Sequence, residues 1–309
     1  MRCAVVDIGS NSTRLLIAEV RDSAISELDR RSTVTRLGQG VDSSGRLAPE
    51  AEQRVFAALD DYAAAIDHHD CDSRTAVMTS AVRDAANGAA FAQEVRERYG
   101  LDARTLTGDQ EARLSFLGAT ATRPDRGDGG LLVVDIGGGS TEIVLGSDDR
   151  VTFHVSTQNG VVRHTERHIA ADPPRPEELA ALATDVRASL AAAVPEHVRS
   201  EAREMVAVAG TATSGAAIDL ALDPYDAARV EGHILSRPVL VSILERLAEL
   251  ALEQRREVTG LHPDRAPTMV AGMVILLEVL DAFGLDRVTV SDRDILWGVA
   301  LTDARAAEA

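Results

Sequence analysis

The sequence predicts two α/β domains related by duplication, and three observations favour this fold. The stretch VVDIGSNST at 5–13 recurs as VVDIGGGST at 133–141, with seven of the nine positions identical at an offset of 128 residues. Strand-like and helix-like patterns alternate in both halves of the chain, as is typical of α/β domains. The 309 residues are enough to bury a core in each of two domains.

The first predicted domain covers residues 1–124 and begins with strands. Apolar residues at helical spacing then predict a helix, and Thr107 is a plausible N-cap for a later one. The predicted elements are, in order, strands at Arg2–Asp7 and Thr13–Val20, strand-like sequence to Leu37, a helix at Pro49–His68, a strand in TAVMTS, helices near Ala81–Tyr99 and a helix after Thr107.

The second predicted domain covers residues 125–309 and follows the polar, glycine-rich linker RPDRGDGG at 123–130. Three strands are predicted first, in LLVVDIG, STEIVLGS and RVTFHVS. DPPRP precedes an alanine-rich helix, MVAVAG is a further strand, and RVTVS is a last strand. The final helix, in DILWGVALTDAR, is expected to pack in a core, with a return to the first domain as an alternative.

Composition excludes several classes of function. The net charge is −17 and aromatic residues make up 3% of the chain, which argues against a nucleic-acid or anionic membrane surface. All 32 Lys and Arg residues are arginine, so a Walker A lysine and a Schiff-base lysine are excluded. Cys3 and Cys71 are too few for a disulfide framework, and we expect both to be buried or half-buried. No apolar run reaches membrane-spanning length and no basic leader precedes the first strand, so a cytoplasmic protein is expected.

The repeated turn has the features of a phosphate and metal site. Glycines let the backbone approach a phosphate closely, and the turn's N–H groups then donate to its oxygens. Asp7 and Asp135 end the two buried strands and are suited to Mg²⁺ or Mn²⁺. Either copy alone is also compatible with an ordinary hairpin, whereas two matching copies favour a phosphate chain held from both sides. The candidate phosphate-binding residues are Ser10, Asn11, Ser12, Thr13, Gly137, Gly138, Gly139, Ser140 and Thr141.

DIGSNS, DIGGGSTE and AGTAT resemble the two phosphate motifs and the adenosine motif of the actin, Hsp70 and sugar-kinase ATPase superfamily. More narrowly, VVDIGSNSTRLLIAEV, MTSAVRDAAN, TGDQEARLSFLGA and VVDIGGGSTEIVLG resemble the Ppx/GppA phosphatase family, in order and over essentially the whole chain. The resemblance implies two duplicated ribonuclease H-like (actin-like ATPase) domains, with the active site in a cleft between them.

The resemblance also assigns roles to three further residues. Glu111 matches the catalytic glutamate, and Arg83 is expected to hold a phosphate and to stabilise charge in the transition state. Glu142 matches a member of the acidic set, as a metal ligand or a water-orienting group. The alternatives are a helix-capping Glu111, an Arg83 paired with Asp84, and a solvated Glu142. This chain has Gln110 where the family more often has a first glutamate.

Other segments leave alternatives open. Gly210 and Thr211, in AGTAT, belong to a nucleotide-site remnant, a ligand-binding extension or a tight turn. Arg265 faces the predicted cleft or forms a structural salt bridge. SDRDILWG replaces a glycine and Arg-Glu pair of the family near the last helix, which argues against a family role there. His68, His69 and Asp70 are expected to be a solvated helix end rather than a metal site.

The resemblance implies a magnesium-dependent exopolyphosphatase that releases orthophosphate from the end of inorganic polyphosphate. Longer family members carry an additional helical C-terminal region, so we expect a preference for short chains. A guanosine pentaphosphate 5′-phosphohydrolase linked to the stringent response is the first alternative, and a non-catalytic nucleotide or alarmone sensor is the second. ATP and ADP are candidate substrates or regulators, and a homodimer is expected.

Overall fold

The computed structural model describes residues 1–21, 24–121, 123, 130–147 and 150–308, and for Glu308 the backbone alone. The chain forms two compact units. Unit 1 comprises Met1–Ala121 and Asp294–Ala309, and unit 2 comprises Thr122–Arg293. Most of the predicted linker, and with it the predicted boundary after residue 124, lies outside the described residues.

The described residues of unit 1 form five strands and, before the linker, five helices. Its strands are β1 (Arg2–Ile8), β2 (Ser12–Arg21), β3 (Ala24–Val34), β4 (Ser73–Met78) and β5 (Asp102–Thr105). Its helices are α1 (Val41–Ser44), α2 (Pro49–His68), α3 (Ser80–Asp84), α4 (Gly88–Tyr99) and α5 (Gly108–Thr120). The observed bounds of α2 agree with the predicted bounds.

The five strands form one sheet in the order β3-β2-β1-β4-β5. β1, β2 and β3 pair antiparallel, and β4 and β5 continue the sheet in parallel with β1. β1 is apolar on both faces because each face is covered. Ala4, Val6 and Ile8 pack with α2 and α4, whereas Cys3 and Val5 pack on the opposite side. Asp7 therefore comes at the carboxyl end of a fully covered strand.

In unit 2, the part of the chain that the structure describes forms six strands and eight helices. Its strands are β6 (Leu131–Ile136), β7 (Thr141–Ser147), β8 (Arg150–Thr157), β9 (Glu204–Val208), β10 (Ile234–Ser236) and β11 (Arg287–Val290). Its helices are α6 (Val161–His168), α7 (Pro176–Ala193), α8 (Glu196–Glu201), α9 (Ala209–Asp219), α10 (Ala227–Val230), α11 (Arg237–Glu249), α12 (Leu252–Arg255) and α13 (Ala266–Phe283), which a short 3₁₀ turn at Pro263–Arg265 precedes.

The sheet of unit 2 repeats that of unit 1. Its order is β10-β11-β9-β6-β7-β8. β6, β7 and β8 pair antiparallel and β9 and β11 continue in parallel, as β1 to β5 do, while β10 is an additional antiparallel edge strand. The two copies of VVDIG occupy equivalent strands, β1 and β6. The predicted duplication is confirmed.

The last helix, α14 (Ile295–Glu308), belongs to unit 1, so the predicted second domain extends too far. Leu296, Val299 and Ala300 pack with Cys3, Val5 and other residues on the second face of the first sheet. Without α14, those apolar side chains would face water, which is the physical reason for the return of the chain. The alternative that the final helix returns to the first domain is therefore the correct one.

Helices α5 and α14 pack with backbone against backbone. A Cβ atom on Gly118 would lie 1.9 Å from the Asp294 carbonyl oxygen, and one on Gly298 would lie 2.0 Å from the Leu114 carbonyl oxygen. Only glycine fits at either position. The helix that carries Glu111 is thereby held directly against the helix that carries the end of the chain.

One helix contradicts the expectation that no apolar segment is long enough to span a membrane. The segment Pro263–Phe283 has a mean hydropathy of 1.7 over an 18-residue window, and 78% of that window is buried inside the protein. Met273, Ile275 and Leu276 pack in the core of unit 2. The hydropathy of α13 thus reflects a helix surrounded by its own unit.

Candidate active site

The first repeated turn, Gly9 to Asn11, joins β1 to β2. The Gly9 N–H donates to the Ser12 carbonyl oxygen at 3.0 Å, which closes the turn. Asn11 O accepts from the N–H groups of Thr35 and Arg36, at 3.0 and 2.8 Å. These bonds hold the turn in one conformation before any ligand is present.

Two of the four predicted phosphate-binding side chains in this turn are committed to the protein itself. The Ser10 hydroxyl accepts from the Ala81 N–H at 3.1 Å and pairs with the Ser80 hydroxyl at 2.9 Å. Thr13 is fully buried, and its hydroxyl pairs with that of Thr35 at 3.0 Å. We therefore assign Ser10 and Thr13 to the framework of the turn.

Asn11 and Ser12 complete the predicted set. Ser12 is the first residue of β2, and Asn11 is half-buried at the tip of the turn. Among the described residues, the buried Asn11 Oδ1 atom has no hydrogen-bond partner. A ligand or a water molecule that donates to Asn11 would satisfy this atom.

Asp7 lies beside two residues that sequence analysis did not assign to the site. Arg14 Nε donates to Asp7 Oδ2 at 3.0 Å, and Arg14 Nη1 donates to Asp294 Oδ2. Asp7 is 4% exposed and Asp294 is 1% exposed. Burial raises the pKa of Asp7 above its ordinary value, and the cation of Arg14 opposes that rise. One guanidinium thus bridges two buried carboxylates.

The residues around Asp7 fit a divalent cation in one respect. Asp7 Oδ1 is buried and has no hydrogen-bond partner among the described residues, whereas Oδ2 is occupied by Arg14. An oxygen in this state is the kind of ligand that Mg²⁺ or Mn²⁺ takes. Asp7 can therefore offer one oxygen to a metal, and Arg14 fixes the direction in which that oxygen points.

Glu111 and Arg83 form a direct ion pair. Arg83 Nη1 donates to Glu111 Oε2 at 2.9 Å and to the Leu106 carbonyl oxygen at 3.0 Å. Glu111 is 6% exposed and lies in the first turn of α5. The partner of Arg83 at hydrogen-bond distance is thus Glu111, since the nearest contact of Arg83 with Asp84 is 3.8 Å.

The cap of α5 does not involve Glu111. Thr107 accepts from the Gln110 N–H at 3.2 Å, and Gln110 Oε1 accepts from the Thr107 N–H at 2.9 Å. This is a complete capping box made by the N-cap and the third helical residue. The predicted N-cap is confirmed, and the departure from the family at Gln110 has a capping role.

The second repeated turn has the same closure as the first. The Gly137 N–H donates to the Ser140 carbonyl oxygen at 3.0 Å. Gly138 O accepts from the Val162 N–H at 2.8 Å. A Cβ on Gly160 would lie 2.2 Å from the carbonyl carbon of Gly139. The start of α6 therefore rests on the carbonyl side of the turn, and N–H groups of α6 are spent on that contact.

Side chains around the second turn fall into the same two groups as in the first. Thr141 is fully buried and its hydroxyl donates to the Asn159 carbonyl oxygen, so Thr141 belongs to the framework. Glu142 Oε1 accepts from the Ser156 hydroxyl at 2.7 Å. Asp135, Ser140 and Glu142 are all buried. The alternative of a solvated Glu142 is therefore wrong.

Gly210 and Thr211 lie in the first turn of α9, and the guanidinium of Arg265 lies against Gly210. A Cβ on Gly210 would be 1.3 Å from Arg265 Nη1, so the arginine can occupy this place only because residue 210 is glycine. The preceding Ala209 has a left-handed φ of 63°. The segment is thus a tight strand-to-helix turn with a cation beside it, a combination that suits an anion.

His68 and His69 are placed as predicted. His68 is exposed in the last turn of α2, His69 is the C-cap, and Asp70 is exposed. Cys3 and Cys71 are both buried free thiols, and burial raises the pKa of Cys3 to about 12. Neither feature belongs to the candidate site.

Sequence comparison identifies proteins related to this chain. The model of the Ppx/GppA phosphatase family matches residues 16–305. Exopolyphosphatase 2 of Mycobacterium tuberculosis is 37% identical over 314 residues, which cover 97% of this chain and 98% of that protein. A guanosine-5′-triphosphate,3′-diphosphate pyrophosphatase of Pseudoalteromonas atlantica is 26% identical over 288 residues, which cover 93% of this chain and 56% of that protein.

Comparison of structures agrees. A crystal structure described as an exopolyphosphatase-like protein superposes with a TM-score of 0.93 at 34% identity, over 100% of this chain and 99% of that chain. The predicted fold class, two duplicated α/β domains of the actin-like ATPase type, is confirmed. Since the family model matches residues 16–305, from β2 to α14, the chain belongs to the Ppx/GppA phosphatase family.

Proposed function

We propose that the protein is a phosphoanhydride hydrolase that removes the terminal orthophosphate of inorganic polyphosphate. The observation that carries this proposal is the Arg83–Glu111 pair, in which the carboxylate of a buried glutamate lies 2.9 Å from a guanidinium. Exopolyphosphatase 2, the relative at 37% identity, gives the substrate class. The short-chain preference stays a prediction.

In the proposed reaction, Glu111 accepts a proton from the attacking water. The water oxygen bonds to the terminal phosphorus as the bridging P–O bond breaks, and the shortened chain leaves with the electron pair. Arg83 neutralises charge on the transferred phosphoryl group. Arg83 Nη1 donates to both Leu106 O and Glu111, and these two hydrogen bonds fix the orientation of the guanidinium plane relative to the carboxylate.

The two glycine-rich turns supply further contacts to phosphate oxygens in this proposal. Their framework bonds, Gly9 N to Ser12 O and Gly137 N to Ser140 O, hold both turns preformed, so little entropy is lost on binding. The backbone of Gly138 and Gly139 and the side chains of Asn11 and Ser140 are the proposed donors. Gly210 and Thr211, beside Arg265, are a further proposed anion site.

We also propose Mg²⁺ or Mn²⁺ as the cofactor. The ligand candidates are the carboxylates of Asp7, Asp135 and Glu142, all of them buried oxygen donors of the type these hard cations prefer. A bound cation would neutralise phosphate charge. The residues of the chain keep their own tasks: Arg14 orients Asp7, and Ser156 orients Glu142. Homodimerisation and regulation by ATP or ADP stay predictions.

A second candidate substrate is guanosine pentaphosphate. The relative from Pseudoalteromonas atlantica favours it, because that protein is named for a guanosine-5′-triphosphate,3′-diphosphate pyrophosphatase activity. The bond broken would be of the same kind, and Glu111 and Arg83 would have the same roles. A sensor that binds nucleotide without hydrolysis would have no use for the Arg83–Glu111 pair.

The test is phosphate release from short polyphosphate, long polyphosphate, guanosine pentaphosphate and ATP, with Mg²⁺, with Mn²⁺ and with a chelator. Glu111→Gln should lower the rate on the preferred substrate by about 10²- to 10⁴-fold, the usual contribution of a general base. Glu278→Gln is the matched control, since it alters another buried glutamate paired with an arginine, Arg187, at 2.8 Å.

Each outcome separates two hypotheses. Release from polyphosphate that falls in Glu111→Gln and not in Glu278→Gln supports the proposal. Faster release from guanosine pentaphosphate would move the assignment to the second substrate. Nucleotide binding without release from any substrate would make the protein a sensor, and equal rates for the wild type and Glu111→Gln would remove Glu111 from the mechanism.

A further inference from the structure

A second cluster of metal-ligating side chains lies on helices α6 and α7 of unit 2. His164 and His168 are one helical turn apart on α6, and Asp185 lies on α7. His168 Nε2 is 3.0 Å from Asp185 Oδ2, and His164 Nδ1 is 3.8 Å from the same oxygen. One ligand atom from each residue lies within 4.8 Å of the other two.

The hydrogen bond on the far side of His164 determines which nitrogen faces the cluster. His164 Nε2 is 3.1 Å from Asn159 Oδ1. An amide oxygen only accepts, so Nε2 carries the proton and Nδ1 presents a lone pair.

The lone pair of His164 therefore points toward an acceptor rather than a donor. His164 is 1% exposed, and its Nδ1 atom has no hydrogen-bond partner among the described residues. The nearest charged oxygen is that of Asp185, which also only accepts when ionised. His168 Nε2 donates to the same Asp185 oxygen at 3.0 Å, so a cation bound by the His164 lone pair and the carboxylate would take the place of that His168 proton.

The donor set selects the kind of cation. Two imidazoles and one carboxylate are typical of Zn²⁺ sites that keep a fourth position for water, and two histidines at i and i+4 share one helix face. Mg²⁺ prefers oxygen ligands. The Asn159 contact is the outer hydrogen bond that ligating histidines almost always have. Asp185 is 43% exposed at its side chain, which gives a metal a route of entry.

Charges of both signs surround His164. The negative charge of Asp185 favours a cation beside His164, whereas the positive charges of Arg163 and Arg167, which lie on α6 with His164, disfavour one. Arg163 Nε donates to the Gly139 carbonyl oxygen at 3.0 Å, so this guanidinium is held at the phosphate turn and not at the cluster. The carboxylate of Asp185 lies 3.0 Å from His168 Nε2 and 3.8 Å from His164 Nδ1.

We propose that His164, His168 and Asp185 bind one divalent transition-metal ion of the Zn²⁺ class, at a site distinct from the proposed Mg²⁺ site. The ion would tie α6 to α7. The opposite end of α6 supports the second phosphate turn, through the bond from the Val162 N–H to Gly138 O. The role of the site is to position that turn, and its existence does not depend on the substrate of the enzyme.

The test is titration of the chelator-treated full chain with Zn²⁺ in competition with a chromophoric chelator, followed by Co²⁺ substitution. The wild type should bind a single tight equivalent, and Co²⁺ should give the visible absorption of a low-coordinate N/O site. His168→Gln and Asp185→Asn should each weaken Zn²⁺ binding by at least about 100-fold, because the loss of even an outer hydrogen bond to a metal ligand costs about 10- to 100-fold.

The chain supplies matched controls. His233→Gln removes another histidine paired with an aspartate, at 2.8 Å from Asp219, and should leave Zn²⁺ affinity unchanged. His69→Gln addresses weak binding at the exposed end of α2. The proposal would be overturned if His168→Gln bound Zn²⁺ with wild-type affinity, or if His69→Gln lost Zn²⁺ affinity instead. The proposal would also be overturned if the wild type bound Zn²⁺ no more tightly than Asp185→Asn does.

Discussion

A methyl group added at Gly118 should weaken unit 1 and slow phosphate release together. The new Cβ would lie 1.9 Å from the Asp294 carbonyl oxygen, whereas real Cβ atoms almost never come within 3.0 Å of such an atom. The backbone fixes the position of the Cβ atom, and the carbonyl oxygen is itself a backbone atom, so no change of rotamer relieves the clash. The separation of α5 from α14 must therefore grow by about 1 Å in a region packed at crystal-like density.

The expected loss of stability follows from two opposing terms. Overpacking of a tight contact costs about 1–3 kcal/mol. Replacement of glycine by alanine inside a helix recovers up to about 1 kcal/mol. We expect Gly118→Ala to lose about 1–2 kcal/mol in urea denaturation. Since a misplacement of about 1 Å can cost about 100-fold in rate, we also expect phosphate release to fall by about 10- to 100-fold.

Gly215→Ala is the matched control in a helix of unit 2. Its Cβ would meet the Leu235 Cδ1 atom at 3.2 Å and the Met273 Cε atom at 3.6 Å, both at the ends of flexible side chains. Stability should then stay within about 1 kcal/mol of the wild type. If Gly118→Ala proves as stable and as active as Gly215→Ala, the argument that α14 positions the Glu111 helix is wrong.

Two further changes test charged contacts. Arg14→Met should destabilise the protein by about 3–5 kcal/mol in urea denaturation, because it leaves Asp7 and Asp294 buried without their shared cation; a loss below about 1 kcal/mol would show that both carboxylates are protonated or solvated. Glu178 accepts hydrogen bonds from the backbone N–H of Arg175, from the Arg175 guanidinium and from the N–H groups of Ala170 and Ala171. These bonds lower the pKa of Glu178 to about 2, and the bond from the Arg175 N–H contributes most. A pKa that folding lowers stabilises the fold at pH values above the unfolded-state pKa of about 4.3. This stabilisation is lost as the pH falls toward about 2. Glu178→Gln should therefore have a lower urea midpoint than the wild type at pH 7, and the two midpoints should converge in acid; a constant difference would contradict this origin.

Features set by neighbouring residues could be predicted from the sequence. The bounds of α2 follow from proline at its first position and from apolar residues at helical spacing, and the start of α5 follows from Thr107 and Gln110. The duplication was visible because the two turns kept their residues. Each of these signals lies within one short stretch of sequence, so each can be recognised without knowledge of the rest of the fold.

Features set by distant residues could not be predicted. Arg14 meets Asp294 across 280 positions, and no pattern in either segment indicates the other. The hydroxyls of Ser10 and Thr13 match a phosphate motif in sequence, yet Ser80 and Thr35 occupy them in the fold. His164 and His168 show the spacing of a helical metal site, but Asp185 becomes visible only when α7 packs on α6.

The return of α14 to unit 1 has a consequence for synthesis. Unit 2 is continuous in sequence, so all of its strands and helices are available once the chain has passed Arg293. Unit 1 is split, and the second face of its sheet stays uncovered until the residues from Asp294 onward emerge. The half of the protein that is made first is therefore the half that completes its fold last, because Cys3 and Val5 on that second face gain their partners in α14 only at the end.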